Sequence, residues 1–289
     1  YDADLPDFKL AVDYYRTEDN EAWLDIQEYQ APRQIDPQKA RARLAAAVAA
    51  AVDTLAIDEN CVVVRQRARQ SGRQQYGRFG GEHIERVMRE RDSRLLINLT
   101  DYLDVGLFID HRLVRDRLTE LARGRHLLNL FCYTASASVR AAVGGARATT
   151  SVDLSNTYLD WAERNFALND IAIDGAHRLV RADVLRWLEQ AASQATRYDV
   201  IFLDPPSFSN SKAMEDDLDI QRDHPALIEA CMRLLAPEGT LVFSNNRKGF
   251  TLNPRVENRF QTHDISRKTL PKDFSRTPER RFVCEIRHH

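Results

Sequence analysis

From residue 107 onward the chain alternates short apolar runs with amphipathic stretches at helical spacing, and this alternation limits its fold more than any other feature. Strands are predicted over 126–131, 147–152, 177–182, 198–203 and 240–244, and helices over 108–121, 136–143, 155–168, 184–195 and 223–235. Units of this length imply a parallel sheet buried on both faces, because each parallel strand needs a crossover and the crossover helices cover the sheet. Residues 261–287 read as two further strands joined by a basic loop, an antiparallel hairpin at the sheet edge. Upstream, 8–15 and 23–29 suit a strand pair, and Asp36-Pro37 supplies an N-cap and first-turn proline for an Ala-rich helix running to about 56. Residues 61–69, 83–91 and 94–99 read as three more strands. The expected fold class is α/β, with a small α+β subdomain over 1–105 and a doubly wound domain over 106–289.

In a doubly wound sheet, ligands bind beyond the carboxyl ends of the strands, near the point where strand order reverses. Four strand ends here carry suitable residues. After the first comes Cys132-Tyr133-Thr134-Ala135-Ser136, where small residues let a ligand approach the backbone. Asp153 ends the second, at roughly the 20-residue distance at which a ribose-binding acid falls. Asp183 ends the third and is placed to accept from an exocyclic amine. Asp204 ends the fourth in Asp204-Pro205-Pro206, where proline can neither continue a ladder nor donate to it. A Gly-x-Gly-x-x-Gly pyrophosphate cradle is missing, since Gly144-Gly145 lie at the wrong end of the helix. The row therefore favours a nucleoside that is cationic elsewhere, and S-adenosylmethionine fits. Standing alone, Asp153 or Asp183 would read as a helix N-cap.

A formal charge of −2 means that any polyanion must meet a local basic face. Between 65 and 94, nine arginines stand against four acids. Arg65, Arg67, Arg73 and Arg78 interleaved with Tyr76 and Phe79 suit phosphate contacts and base stacking, with a solvated hairpin as the equal alternative. Cys61, Cys132, Cys231 and Cys284 are too widely spaced for a metal knuckle and read as reduced, buried thiols, so no metal is expected. No run has the length of a membrane-spanning helix and no signal peptide opens the chain, so a cytoplasmic protein without a membrane partner is expected. The chain opens on Tyr1 instead of Met and reads as a fragment or processed product, and His288-His289 is given no function.

In order, Asn129-Leu130-Phe131-Cys132-Tyr133-Thr134, Val152-Asp153-Leu154-Ser155, Arg181-Ala182-Asp183-Val184 and Asp204-Pro205-Pro206-Ser207-Phe208 resemble the class I S-adenosylmethionine-dependent methyltransferases of the large-subunit ribosomal RNA group. More closely, the segments 1–7, 98–104, 208–212 and 243–246 look like the C-terminal half of the bifunctional K/L-type bacterial enzymes. The resemblance covers nearly the whole chain. It implies a Rossmann-like methyltransferase sheet, S-adenosylmethionine as cofactor, and methylation of a guanine N7 in 23S ribosomal RNA or a large-subunit precursor. It also implies a covalently linked N-terminal half that methylates another guanine at N2. By matching position, Asn129, Phe131, Tyr133, Thr134, Ala135 and Ser136 would surround the methionine part. Asp153 with Leu154 would take the ribose, and Asp183 with Val184 the adenine. Asp204 and Pro205 would lie beside the sulfonium and the target base, and Asp110 and Arg112 would pack over the cofactor. Family members often place glycine where this chain has Ala135 and Ser136.

The target atom has a separate argument. Methylating a pyrimidine C5 needs a thiolate adduct, and related enzymes carry that cysteine where this chain reads Phe243-Ser244-Asn245-Asn246. Guanine N7 has an in-plane lone pair and no proton to lose, so positioning suffices. Asp204 and Asn245 are expected to engage the guanine edge and Phe208 to stack on it. Residues 207–223 read as a lid that orders on RNA, with Lys212 as a contact. Two alternatives stand beside this reading. One is an exocyclic-amine methyltransferase acting on guanine N2 or adenine N6, with Phe208 one position later than usual. The other is an RNA-binding module with a degenerate cofactor pocket, which the Ala135-Ser136 departure permits.

Overall fold

The structure, a computed structural model, describes residues 8, 10–29, 36–67, 83–193, 195–209, 218–276 and 281–289, the side chains at 29, 66, 67, 208 and 209 excepted. Arg73, Tyr76, Arg78, Phe79 and Lys212 lie outside the described residues, as do the side chains of Arg67 and Phe208. The chain forms two compact units, one reaching to Arg89 and including Leu96–Val105, the other made of Glu90–Leu95 and Gly106–His289.

In the first unit Leu10–Arg16 (β1) and Ala22–Tyr29 (β2) pair antiparallel, and the helix Pro37–Leu55 (α1) crosses over to Val62–Arg67 (β3), which runs parallel to β2. The helix starts where its sequence requires. The Asp36 carboxylate accepts from the Gln38 N–H at 2.8 Å, and Pro37 occupies the first turn, where its missing donor costs nothing. Leu24 and Ile26 pack with Leu44, Ala47, Val48 and Ala51 of α1. Glu85–Glu90 (β4) and Ser93–Asn98 (β5) form a separate two-stranded ribbon.

Arg65 departs from its expected role as a phosphate contact. Its guanidinium pairs with the buried Asp25 and donates to the carbonyls of Tyr102 at 2.7 Å and Leu103 at 3.1 Å. Neighbouring arginines also find acids from distant sequence: Arg86 meets Glu21 at 3.4 Å, Arg89 meets Glu18 at 3.0 Å and, in the second unit, Arg91 meets Asp116 at 2.9 Å. The excess counted along residues 65–94 is therefore largely neutralised among the described residues.

The second unit is built on a seven-stranded sheet. Its parallel strands are His126–Leu130 (β6), Ala148–Asp153 (β7), His177–Arg181 (β8), Tyr198–Leu203 (β9) and Leu235–Asn245 (β12), and two short segments, Phe208–Ser209 (β10) and Leu218–Asp219 (β11), pair with each other. Gln261–Asp264 (β13) and Phe282–Arg287 (β14) add the expected antiparallel edge hairpin, giving the order β13-β14-β12-β9-β6-β7-β8. Strand order reverses at β6, which lies between β7 and β9, so the crevice opens beyond the carboxyl ends of β6 and β9. Arg112–Ala122 (α2), Ser136–Val143 (α3), Asn156–Ala167 (α4), Val184–Ala191 (α5), Ile220–Leu234 (α6) and Pro254–Arg259 (α7) complete the unit. The period-2 pattern of the strands fills both faces. Leu128, Leu130, Ile201, Leu203, Leu241 and Phe243 pack with α5 and α6, while Leu127, Val200, Phe202 and Val242 pack with α2 and α3.

Local chemistry moved three helix boundaries. The helix predicted from 108 opens as a 3-10 turn, Ile109–His111, before α2, and α5 stops at Ala191. α6 begins at Ile220, earlier than the predicted 223, because Asp219 accepts from the N–H groups of Gln221 at 2.9 Å and Arg222 at 3.3 Å. The short helix α7 was not foreseen.

Candidate functional site

The loop after β6 holds three non-glycine residues in the left-handed region, Phe131, Tyr133 and Ala135, with φ of 55°, 54° and 54°. Each costs about 1–2 kcal/mol, so the surroundings must fix the loop. They do so with several bonds. The Cys132 N–H donates to Val152 O at 3.0 Å, Tyr133 N–H to Asp153 Oδ2 at 2.9 Å and Thr134 Oγ1 to Gly106 O at 2.7 Å, while Asn165 Nδ2 donates to Thr134 O at 2.9 Å. The Tyr133 ring lies 5.3 Å from that of Phe108 and 4.4 Å from that of Tyr158, forming an aromatic wall of which the sequence reading had only Tyr133.

Asp153 closes β7 beside this loop. One carboxylate oxygen takes the Tyr133 N–H and the other the Ser155 N–H, both at 2.9 Å. Burial nonetheless pushes this carboxyl above the usual carboxylate range, against the pull of those donors. A fixed carboxylate with spare lone pairs is an acceptor set suited to vicinal hydroxyls. Asp183 has a prior commitment: its Oδ1 caps α5, accepting from Leu185 N–H at 2.9 Å and Arg186 N–H at 3.2 Å. Both the cap and the strand-end readings of Asp183 thus describe one residue.

The carboxyl ends of the paired strands β9 and β12 carry the remaining cluster. Asp204 Oδ2 lies 3.5 Å from His111 Nδ1, and His111 Nε2 lies 3.4 Å from Ser244 Oγ. Arg281 is buried and donates to the Asp110 carbonyl, and to Thr269 O at 2.9 Å and Thr269 Oγ1 at 3.2 Å. Burial lowers the Arg281 pKa, while the negative charges of Asp110 and Asp204 oppose that fall. Asn245 is buried, its Oδ1 accepts from the Arg247 N–H at 3.1 Å, and its Nδ2 has no hydrogen-bond partner. A buried donor left over is rare in a protein interior and fits a site that a polar ligand completes. His111 and Arg281 were missed from sequence; the only available signal was the position of His111 next to Asp110.

Several expected residues act differently. Asn129 is buried below the loop, donating to Ser138 Oγ at 2.9 Å, with its own Oδ1 left without a hydrogen-bond partner. It therefore supports the loop from inside the sheet. Thr134 is an internal tether, and the Val184 side chain belongs to the core with Leu188. Arg112 turns to Asp273, with Nη1 to Oδ2 at 3.0 Å, and does not join the Asp204 cluster. Phe131, Ala135, Ser136 and Leu154 flank the crevice from the loops after β6 and β7, and Pro205 is buried at its edge. The base of the expected lid is tied, because Phe208 pairs with Asp219 and Ser209 with Leu218. All four thiols are held protonated by burial, Cys132 and Cys231 well above the usual value and Cys284 at about 12, with Cys61 also raised. Among the described residues no group of three or more His, Cys, Asp or Glu could hold a metal ion, and no helix is long and apolar enough to cross a membrane.

Comparison with known proteins agrees with the fold. Residues 17–275 match the family described as S-adenosylmethionine-dependent methyltransferase. The ribosomal RNA large subunit methyltransferase K/L of Pseudomonas aeruginosa is 51% identical over 279 residues, covering 96% of this chain and 37% of that protein. Its counterpart from Chromohalobacter salexigens is 51% identical over 290 residues, covering 100% of this chain and 38% of that protein. The chain thus spans little more than a third of the length of these relatives. The crystal structure of SMU.776, a methyltransferase complexed with SAH, superposes with a TM-score of 0.74 at 26% identity, covering 96% of this chain and 71% of that one.

Proposed function

The chain belongs to the S-adenosylmethionine-dependent methyltransferase family, and from that premise we propose that it methylates N7 of a guanine in 23S ribosomal RNA. The substrate class rests on the K/L relatives, which are named for the large ribosomal subunit RNA. The base rests on one observation above the rest: a buried amide donor, Asn245 Nδ2, remains unpartnered near the strand end that carries the Asp204 carboxylate, while the choice of N7 rests on the resemblance to the K/L-type enzymes. Guanine is the base whose edge offers an acceptor, O6, next to donors, N1–H and N2–H, so the pair matches it in sense. When bound, S-adenosylmethionine supplies an electrophilic methyl group on a sulfonium. Asp153 and Leu154 would hold the ribose, Asp183 the adenine, and the 131–136 loop the methionine part. Guanine N7 loses no proton on methylation, so these residues need only hold the acceptor in line, an effect worth about 7–11 kcal/mol when well oriented. The raised thiols fit this non-covalent course, since a C5 adduct requires a thiolate.

The remaining parts follow from the same premise. The length of the relatives supports a linked further half, which the resemblance to the K/L-type enzymes would place N-terminally and at guanine N2, and the bacterial ribosomal RNA substrate implies a cytoplasmic setting. Arg67, Arg73, Tyr76, Arg78, Phe79 and Lys212 would contact the RNA, and Phe208 would stack on the target base. The test is methylation of unmodified 23S ribosomal RNA transcript by this chain, with the product mapped by mass spectrometry and by alkaline cleavage at N7-methylguanine. Methyl groups found at an exocyclic amine would instead establish the N2 or N6 reading.

A further inference from the structure

His111 is buried between two polar groups at the strand ends where the target base would dock. Its Nδ1 lies 3.5 Å from Asp204 Oδ2, and its Nε2 lies 3.4 Å from Ser244 Oγ and 4.0 Å from Asp110 Oδ2. An ionised carboxylate can only accept, so the ring satisfies Asp204 only if Nδ1 carries the proton. In the neutral ring Nε2 is then an acceptor, and the Ser244 hydroxyl is the donor that faces it. The ring is also packed edge-on to Phe202, with centroids 6.3 Å apart. The order serine, histidine, aspartate matches that of a hydrolytic triad, but Ser244 is fully buried within β12 and paired with Val283, so its hydroxyl serves the ring as an anchor inside the sheet. The arrangement instead runs from an anchor in the sheet, through the ring, to a carboxylate that is partly open to solvent.

We propose that His111 is a positioning residue for Asp204: as the neutral Nδ1–H tautomer, fixed by Ser244, it donates to Asp204 Oδ2 and leaves Asp204 Oδ1 to meet the target base. The proposal rests on the reading that Asp204 engages that base. Bonds of this kind are often long without substrate and tighten when it binds. Arg281 completes the frame from the other side: it holds the Asp110 carbonyl, and so the turn that carries His111. In this tautomer the ring offers no acceptor toward Asp204, so it has no part as a proton acceptor for an exocyclic amine.

The variants His111→Asn and His111→Leu separate the roles, because the asparagine amide nitrogen takes nearly the place of Nδ1 whereas leucine fills the space without a donor. His111→Leu should lose about 10²-fold in kcat on 23S ribosomal RNA transcript, the scale of a misplaced reacting group, with KM and calorimetric affinity for S-adenosylmethionine unchanged. His111→Asn should recover most of that loss. Equal turnover in the leucine variant and the parent, or equal loss in both variants, overturns the proposal. Long-range nitrogen–proton NMR of the parent chain gives a reading that needs no turnover. The His111 ring should appear as the Nδ1–H tautomer and revert to Nε2–H in Asp204→Ala. An Nε2–H ring in the parent also overturns the proposal. Product mapping on the parent tests guanine N7 separately, since the ratio of the two variants holds for whichever base atom is methylated.

Discussion

Replacing Asp153 by asparagine changes one atom of the side chain and tests the cofactor end of the crevice. Both carboxylate oxygens already take a backbone N–H at 2.9 Å, from Tyr133 and from Ser155. An asparagine must therefore point its amide at one of these donors, whichever way it is turned, and keeps a single oxygen for a ribose hydroxyl. A hydrogen bond to a charged group is worth about 1.5–3 kcal/mol, so the affinity for S-adenosylmethionine should fall about 10- to 100-fold. Folding should survive. Burial raises the Asp153 pKa, so the folded chain holds this proton more tightly than the unfolded chain does. That contribution to stability is present below the unfolded value near 3.9 and is lost as pH rises through the folded value, so at neutral pH the charge costs stability. For the same reason cofactor affinity in the parent should decline on acidification before an ordinary carboxylate would titrate, and the Asp153→Asn variant should lack this dependence. Calorimetry at several pH values reads both effects. A variant that binds within about 3-fold of the parent and keeps the same pH slope would refute the assignment.

Three further outcomes are expected. Asp204→Ala and Asn245→Ala should each preserve S-adenosylmethionine affinity and lower turnover on 23S ribosomal RNA by about 10²-fold, and undiminished turnover in both would remove them from the site. Gly106→Ala should destabilise the second unit by about 1–3 kcal/mol in urea melts, because Gly106 has φ of +93° and a Cβ there would lie 2.1 Å from Trp161 Cζ2; an unchanged midpoint would contradict that packing. Burial lowers the pKa of His126, His177 and His224, so the unfolded chain binds their protons more readily. Stability from these groups should be complete above the ordinary histidine value near 6.5 and drain away as pH falls below it through the folded values; a urea midpoint that rises between pH 7 and pH 5.5 would reverse the sign.

What the sequence made legible was local. Alternating apolar positions located β6 to β9, and Asp36-Pro37 located the start of α1, because strand faces and caps depend on residues a few positions apart. Features set by distant partners stayed hidden. Nine arginines within 65–94 read as a basic face, yet Asp25, Glu21, Glu18 and Asp116 claim four of them. The Asp204 cluster was half seen for the same reason: Asp204 and Asn245 announce themselves at strand ends, whereas His111 reaches Asp204 from a turn more than ninety residues upstream and Arg281 lies in the segment just before β14.

The Ala135 departure shows how such distant partners change the meaning of a motif. With alanine where the family resemblance implies glycine, the loop would be expected to lose the conformation that admits a ligand. It keeps a left-handed residue there, φ 54°, at a cost of about 1–2 kcal/mol. The tethers lie outside the motif: Thr134 Oγ1 on Gly106 O, Asn165 Nδ2 on Thr134 O, and the Asp153 carboxylate on the Tyr133 N–H. Each is a single bond of ordinary net worth, about 0.5–3 kcal/mol, and together they outweigh the strain of one alanine. The alanine that permits the degenerate-pocket reading is thus absorbed by the fold. Asp153 serves the loop and, in the proposed reading, the ribose of the cofactor at once, which would account for a carboxylate at that strand end whose charge burial disfavours.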